Sequence, residues 1–201
     1  MQAEPLTLDA ITVAVNGTEL FSNLSAIMRP GELWVIEGDS GRGKTALFKT
    51  LAGLLKPAAG RMLYGDTPLG ACQGVVLFHG HTPALRREAT VEQNLLYWAT
   101  ILNTRELVPT ALHYYDLDSY ADAPCAKLTA GWGARAALAR LILNPAPLWL
   151  LDDPFIHLDA EGISLTQSLI TTRLEQGGIV CISSQATLQG DRVKSINLNM
   201  L

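Results

Sequence analysis

The sequence lacks most of the features that mark a secreted or membrane-spanning protein. Its three cysteines are odd in number and show no Cys-x-x-Cys spacing, which disfavours a disulfide framework or a zinc site. The first residues have neither the basic start nor the apolar run of a signal peptide. The longest apolar runs, such as 74–78 and 179–182, are too short for a membrane span and are typical of buried strands. We therefore expect a cytoplasmic protein that reaches a membrane only through a partner.

Positive charge is also scarce. Fifteen Lys and Arg against nineteen Asp and Glu give a net charge of −4 at pH 7. A nucleic-acid-binding protein needs basic side chains to neutralise phosphates, so we expect no nucleic-acid partner. Hydrophobic residues make up 48 % of the chain, which is enough for one sizeable core. We expect a single domain, 1–201, with a small helical lobe at about 82–130 inserted in an α/β core.

The most informative stretch is a glycine-rich segment with P-loop spacing, a glycine followed by four residues and then Gly-Lys-Thr. An apolar run at 33–36 precedes it and a helical pattern follows it, which is the strand–turn–helix context that the motif requires. Backbone N–H groups at such a helix N-terminus bind phosphate, Lys44 would reach the β- and γ-phosphates, and Thr45 would ligate Mg²⁺. The segment therefore predicts an ATP-type nucleotide site with these phosphate-binding residues: Gly38, Asp39, Ser40, Gly41, Arg42, Gly43, Lys44, Thr45 and Ala46.

Buried strands alternate with helices along the chain. The apolar patterns predict strands at 6–13, 20–28, 33–37, 60–64, 74–78, 148–151, 179–182 and 193–198, and helices at 44–55, 90–102, 131–143 and 159–175. Such alternation predicts a largely parallel sheet with ligand at the carboxyl ends of its strands. The Asn16-Gly17 turn between the first two strands predicts a hairpin. We therefore expect an α/β fold with a mostly parallel sheet core, an N-terminal antiparallel β part and a small helical lobe.

A second candidate cluster follows the apolar run at 148–151, which ends in Asp152-Asp153. This is a Walker B pattern, in which a carboxylate at the strand end would hold Mg²⁺ opposite Thr45. The alternative is that the two aspartates only cap the next element, and a P-loop upstream makes that alternative weaker. Asp152 is therefore the predicted second metal ligand.

Four segments, taken in order, resemble the nucleotide-binding domain of ABC transporters. They are Leu128-Thr129-Ala130-Gly131-Trp132, Ala137-Leu138-Ala139-Arg140-Leu141, Leu150-Leu151-Asp152-Asp153-Pro154 and His157-Leu158-Asp159, matching the signature loop, the helix behind it, Walker B and the D-loop. The resemblance covers 6–198 and implies a P-loop NTPase of the ABC ATPase type, with ATP hydrolysis and Mg²⁺. It also implies a head-to-tail pair, either a homodimer or a pairing with a second nucleotide-binding subunit, in which Thr129 and Gly131 contact the other subunit's ATP.

A narrower resemblance is to the ATP-binding subunits of haem exporters in cytochrome c maturation, the CcmA family. It rests on Gly80-His81 ahead of Ala84-Leu85, on 145–152 and on 176–180. His81 stands at the Q-loop glutamine position, where that family tends to carry histidine, and would couple the site to the partner. The resemblance implies a peripheral subunit on the cytoplasmic face of the inner membrane, working with membrane-spanning CcmB-like and CcmC-like subunits. ATP hydrolysis there would release a haem-loaded chaperone.

Several positions differ from a fully equipped ABC ATPase. Asp153 replaces the catalytic glutamate, which keeps the charge but withdraws the carboxylate by one methylene. Gln185 replaces the switch histidine at the γ-phosphate, Ala130 replaces a signature glycine, and the aromatic residue expected near Ala14 to stack on adenine is missing. We therefore expect Asp153, Gln185 and His81 to form a catalytic set that hydrolyses ATP slowly. The alternatives are a re-formed water network with normal turnover, a catalytically impaired ATP-gated assembly module, or the ATPase subunit of another small ABC exporter.

Two aromatic pairs stand out in the predicted helical lobe, Tyr97-Trp98 and Tyr114-Tyr115. They would form either the small core of the lobe or an exposed docking surface. The sequence favours the core, and it leaves the docking surface open.

Overall fold

The computed structural model describes residues 3–183 and 192–201. The strands are β1 (Leu6–Val15), β2 (Thr18–Met28), β3 (Leu33–Glu37), β4 (Ala59–Tyr64), β5 (Thr67–Pro68), β6 (Val76–His79), β7 (Leu148–Asp152), β8 (Ile179–Ser183) and β9 (Val193–Asn197). The helices are α1 (Lys44–Leu51), α2 (Val91–Leu102), α3 (Val108–Tyr114), α4 (Ala130–Leu138), α5 (Arg140–Leu143) and α6 (Ala160–Glu175).

Within the described residues, the strands form two sheets. One has the order β2-β1-β4-β5 and is antiparallel, and its first hairpin turns at Asn16 and Gly17, which have φ of 52° and 80°. The other has the order β6-β7-β8-β3-β9, and its neighbouring strands are all parallel. The expected architecture, a mostly parallel core with an N-terminal antiparallel part, is confirmed.

The register of the parallel sheet determines which residues meet at its carboxyl edge. Strand β3, which precedes the P-loop, lies between β8 and β9. Ser183 at the end of β8 lies opposite Ile36 on one side and opposite Asp152 on the other. Because these strands run in the same direction, the P-loop, Asp152 and Ser183 come together at one edge of the sheet.

The core of this part of the molecule holds α1 in place. Leu47 and Phe48 of α1 are fully buried in one cluster with Val13 from the antiparallel sheet and Leu150 from the parallel sheet. Burying each such side chain stabilises the fold by roughly 1.5–3 kcal/mol. The helix that begins at the P-loop is therefore fixed by apolar contacts to both sheets.

The chain divides into two compact units. The first comprises Met1–His81, Ala146–Pro154 and Thr171–Leu201, and the second comprises Thr82–Pro145 and Phe155–Ile170. The lobe expected at 82–130 falls inside the second unit, which also includes 131–145 and 155–170. Among residues 3–183 and 192–201, none of the helices combines the length and the apolar character needed to cross a bilayer.

Helix boundaries agree with the sequence at some positions and differ at others. The capping box is confirmed, because the Thr90 hydroxyl accepts the Gln93 N–H and the Gln93 side chain accepts the Thr90 N–H. The predicted end of α1 near residue 55 was one turn too late, since Gly53 turns the chain with φ of 73°. The single helix predicted at 131–143 is divided at Ala139 into α4 and α5.

Candidate active site

The P-loop is a tight turn between β3 and α1. Gly38, Gly41 and Gly43 have φ of 147°, 83° and 102°, a region that side-chain-bearing residues rarely adopt. A Cβ at Gly43 would also lie 3.1 Å from the Phe21 ring. The N–H groups in the first turn of α1, which includes Thr45 and Ala46, have no carbonyl partner within the helix. They present a set of donors suited to an anion, at the positive end of the helix dipole.

The Lys44 ammonium group is held by the loop itself. It donates hydrogen bonds to the carbonyl oxygens of Gly38 and Asp39. Both acceptors are neutral, and an anionic phosphate oxygen forms a stronger, charge-assisted hydrogen bond with an ammonium group. Phosphate can therefore replace these carbonyls as the partner of Lys44.

Residues that follow β9 form hydrogen bonds with the P-loop. The Asp39 N–H donates to the Asn199 side-chain oxygen at 3.1 Å, and the Arg42 guanidinium donates to the Leu198 carbonyl at 3.1 Å. Ser40 lies at the exposed tip of the turn, between Asp39 and Gly41. The loop is thus tied to the sheet at a point 160 residues further along the chain.

Asp152 is the centre of a hydrogen-bonded chain at the sheet edge. The Thr45 hydroxyl donates to one of its carboxylate oxygens and the Ser183 hydroxyl donates to the other, each at 2.7 Å. The Ser183 oxygen also accepts the backbone N–H of Asp153 at 2.8 Å. Asp152 and Ser183 are buried. The two predicted metal ligands, Thr45 and Asp152, are therefore in direct contact in this structure.

The residues expected to activate water are held more loosely. His81 Nδ1 lies 3.7 Å from Asp153 Oδ2, which is too long for a hydrogen bond, and the two side chains are 58 % and 29 % exposed. Asp153 adopts a left-handed backbone with φ of 53°. The structure brings the His81 and Asp153 side chains close together, but no hydrogen bond joins them. Gln185, the third predicted member, lies outside the described residues.

The predicted signature residues lie in the second unit. Thr129 caps α4, and its hydroxyl accepts the Trp132 N–H at 3.4 Å. A Cβ at Gly131 would lie 3.2 Å from the carbonyl oxygen of His157, so the signature loop packs closely against the segment that contains the predicted D-loop. Glycine is favoured here by this close approach rather than by its φ.

Comparison with known proteins agrees with this geometry. The family model described as ABC transporter matches residues 21–156. The chain belongs to the ABC transporter family. Relatives include the cytochrome c biogenesis ATP-binding export proteins CcmA of Pseudomonas putida, 38 % identical over 85 % of this chain and 84 % of that protein, and of Wolbachia pipientis, 36 % identical over 92 % and 91 %. A putative ABC transporter ATP-binding protein from Pyrococcus furiosus has a similar structure, with a TM-score of 0.86, 26 % identity and 98 % of each chain covered.

Both resemblances inferred from the sequence are thereby confirmed. As a member of the ABC transporter family, the chain is an ABC-type ATPase subunit. The family match ends just after the Walker B segment, while the relatives match most of the chain.

In this ABC ATPase, a buried arginine that the sequence did not single out connects three segments of the second unit. Arg135 of α4 donates to Asp116 at 2.9 Å, to Asp159 at 2.8 Å and to Glu161 at 2.8 Å, and its side chain is 4 % exposed. Burial lowers the pKa of Arg135, but its hydrogen bonds to the carboxylates of Glu161 and Asp159 outweigh that effect and raise the pKa. The hydrogen bond from Arg135 lowers the pKa of Asp159. The cluster fixes the start of α6 against α4.

The four aromatic residues considered for the helical lobe differ in burial. Tyr114 is half-buried, and its hydroxyl donates to the Leu165 carbonyl at 2.9 Å. Tyr115 is fully buried and its hydroxyl lies 3.2 Å from that of Thr166, whereas Tyr97 and Trp98 are 44 % and 37 % exposed. Beside them, the Arg140 guanidinium lies 5.7 Å from the Trp98 ring, and burial lowers the pKa of Arg140 to about 10. The core interpretation is right for Tyr115, while Tyr97 and Trp98 belong to the surface.

Proposed function

We propose that this chain is the ATP-binding subunit of a haem-export complex in cytochrome c maturation, and that it hydrolyses ATP slowly. The observation that carries the proposal is the contact of Thr45 with Asp152 beneath a complete P-loop, next to an Asp153 whose carboxylate is not hydrogen-bonded to His81. The haem assignment is supported by relatives at 36–38 % identity whose names describe ATP-binding export in cytochrome c biogenesis. The complex would lie on the cytoplasmic face of the inner membrane, with this subunit peripheral to it.

Mg²⁺ is the metal that the site fits. The Thr45 hydroxyl and the Asp152 carboxylate are hard oxygen donors 2.7 Å apart, and Mg²⁺ in nucleotide sites takes one or two protein oxygens together with phosphate oxygens and water. When bound, the ion would neutralise charge on the phosphates. The ion would bind a lone pair of the Thr45 oxygen, which leaves the Thr45 proton available for its hydrogen bond to Asp152.

The remaining residues of the site take roles from their positions. The backbone of Gly38–Ala46 would hold the phosphates, with Lys44 at the β- and γ-phosphates. Asp153 would orient and deprotonate the attacking water, with His81 beside it. Its carboxylate is one methylene shorter than the glutamate of a fully equipped ABC ATPase, and a displacement of about 1 Å can lower a rate roughly 10²-fold. The role of Gln185 at the γ-phosphate stays a prediction.

The pairing of two such subunits is part of the proposal. Thr129 and Gly131 would contact ATP held by the P-loop of the other subunit, either an identical copy or a second nucleotide-binding chain. Thr129 caps α4, so it lies at the N-terminus of this helix. Backbone N–H groups at a helix N-terminus are donors for phosphate, which supports a contact of this loop with ATP.

A docking face for the membrane-spanning subunits is proposed on α2. Tyr97, Trp98 and Ile101 expose 44 %, 37 % and 60 % of their surface there. Arg140 lies beside Trp98 and donates to the Ala137 and Pro83 carbonyls, and among the described residues no carboxylate pairs with it. An apolar segment of a CcmB-like or CcmC-like subunit that carries an acidic residue would cover the aromatic surface and neutralise Arg140.

The test is ATP turnover by the subunit purified together with its native membrane partners, beside a Lys44→Ala variant of the same complex. Slow turnover that Lys44→Ala abolishes supports the proposal. Tight ATP binding without turnover above that control overturns hydrolysis and favours an ATP-gated assembly module, the alternative that the loosely held Asp153 suggests.

The identity of the partners tests the haem assignment separately. Mass spectrometry of the co-purified complex should find CcmB-like and CcmC-like chains. Recovery of the membrane subunits of a different exporter would refute the haem assignment while leaving the ATPase assignment intact.

A further inference from the structure

A buried serine at the end of β8 connects the two aspartates of the site. Ser183 is fully buried, donates its hydroxyl proton to Asp152 Oδ1 at 2.7 Å, and accepts the Asp153 N–H at 2.8 Å. A single hydroxyl oxygen therefore makes one bond to the side chain of the metal-site residue and one to the backbone of the residue that would activate water. None of the sequence motifs assigns a role to Ser183.

The sheet register explains why a serine can do this. Asp152 and Ser183 are paired residues on the adjacent parallel strands β7 and β8, so their side chains leave the sheet side by side. Beyond Asp152 the strand ends and Asp153 turns into a left-handed conformation, with φ of 53°. The Asp153 N–H, in the peptide group just before that turn, donates to the Ser183 oxygen.

We propose that Ser183 is a positioning residue for ATP hydrolysis, an inference that rests on the proposed function. Its hydroxyl fixes the orientation of the Asp152 carboxylate and the left-handed backbone of Asp153. A left-handed conformation is unfavourable for residues other than glycine and persists only where the surroundings hold it. The bond to Ser183 supplies that restraint for Asp153.

The two hydroxyls bond to different oxygens of Asp152. Thr45, the other predicted metal ligand, donates to Oδ2, whereas Ser183 donates to Oδ1. The Ser183 bond is compatible with metal binding at Oδ2 and would keep the carboxylate oriented. Loss of the Ser183 hydroxyl would therefore affect the metal and the water, and would leave the phosphate contacts of the P-loop unchanged.

The test is a Ser183→Ala variant, which removes both bonds and changes the volume little. For the isolated protein, we expect the Kd for ATP without metal to stay within about twofold, while the Mn²⁺ concentration that half-saturates the complex with a non-hydrolysable ATP analogue rises roughly tenfold. In the complex with its membrane partners, kcat should fall about 10- to 100-fold, the effect of losing a hydrogen bond to a charged group. Hydrogen exchange of the Asp153 amide, followed by NMR, should become at least tenfold faster.

Two further variants separate positioning from stability. Ser183→Thr keeps the hydroxyl and should restore kcat and the slow exchange of the Asp153 amide, whereas Ser183→Cys, with a weak donor, should not. Thr50→Val is the matched control, because it removes another fully buried hydroxyl of the same unit, one that bonds only to the Ala46 carbonyl. It should lower Tm without changing the Mn²⁺ affinity.

The inference is overturned if Ser183→Ala keeps its Mn²⁺ affinity and its Asp153 exchange rate, or if it behaves like Thr50→Val. Should Ser183→Ala fail to fold, the comparison of Ser183→Thr with Ser183→Cys decides the question. Failure of the proposed function would look different. The wild-type complex would then show no turnover, while Mn²⁺ binding and amide exchange would still report whether Ser183 holds the two aspartates.

Discussion

The two units of the molecule each contain a buried charged side chain, and the two side chains have different kinds of partner. In the first unit, the buried Asp152 carboxylate is bonded by two neutral hydroxyls, and within the described ranges no Lys, Arg or His pairs with it. In the second unit, the buried Arg135 guanidinium is surrounded by three carboxylates. A buried anion without a cation is expected where a cation is to be bound, whereas a buried cation that is already paired is expected to stabilise the fold.

The largest effect should come from removing the one lysine of the P-loop. Lys44→Ala should weaken ATP binding at least about 100-fold, because the charge-assisted hydrogen bonds to phosphate are lost. The measurement is nucleotide titration of the isolated protein. Lys49→Ala, which changes an exposed lysine on the same helix, is the control and should bind ATP normally. Binding by Lys44→Ala within about threefold of the wild type would mean that phosphate is bound elsewhere.

Lengthening the second aspartate tests whether hydrolysis is limited by position. Asp153→Glu should raise turnover of the complex up to about 100-fold, because it restores the missing methylene, and should leave the Kd for ATP unchanged. Asp152→Glu is the contrasting variant, since a longer side chain at this buried position cannot keep both hydroxyl bonds, and its turnover should fall. Equal turnover for the wild type and Asp153→Glu would show that the shorter side chain is already well placed.

The paired cation of the second unit should matter for stability. Arg135→Met should lower the free energy of unfolding by about 2 kcal/mol at neutral pH, because three carboxylates lose their common partner. Denaturant unfolding measures this change. Arg61→Met, which removes the exposed pair with Asp9, is the control and should change stability by less than about 1 kcal/mol.

Acid titration sharpens the same test. The pKa of Asp159 is lowered in the folded protein. Its ion pair therefore stabilises the fold fully above the pKa of an unfolded aspartate, about 3.9. This stabilisation is lost as the pH falls through the lower pKa of the folded state. Arg135→Met should therefore show a smaller loss of stability below about pH 4 than the wild type. An equal loss would mean that other carboxylates determine the acid response.

The smallest effect is expected at the surface of the second unit. Trp98→Ala should weaken recruitment to membranes that contain the partner subunits about tenfold, as the loss of a partly exposed aromatic contact does, and should change Tm little. Flotation with such membranes is the measurement. Leu54→Ala, at an exposed position of the first unit, should bind normally. Normal recruitment of Trp98→Ala would exclude α2 as the docking face.

Local patterns in the sequence were enough to predict much of this structure. The P-loop, the strand before Asp152 and the capping box at Thr90 each depend on residues within one turn or one strand, so their spacing predicts them directly. The end of α1 was placed one turn too late because apolar residues continue past Gly53.

Contacts between distant segments could not be predicted in this way. The bond from Ser183 to Asp152 depends on the register of two strands that a helix separates along the chain. The Arg135 cluster joins this arginine to carboxylates 19 to 26 positions away from it in the sequence. Each of these residues alone resembles an ordinary surface charge. Only the folded arrangement of these segments brings the three carboxylates to one buried arginine.

The position of β3 between β8 and β9 has a consequence for how the chain is made. A strand near the beginning of the chain obtains both of its neighbours from residues 179–197, and Asp39 is tied to Asn199. During synthesis, residues 179–197 must leave the ribosome before the P-loop acquires the sheet that holds it. ATP therefore cannot guide the folding of this unit before these residues have been made, and the nucleotide becomes a stabilising ligand only afterwards.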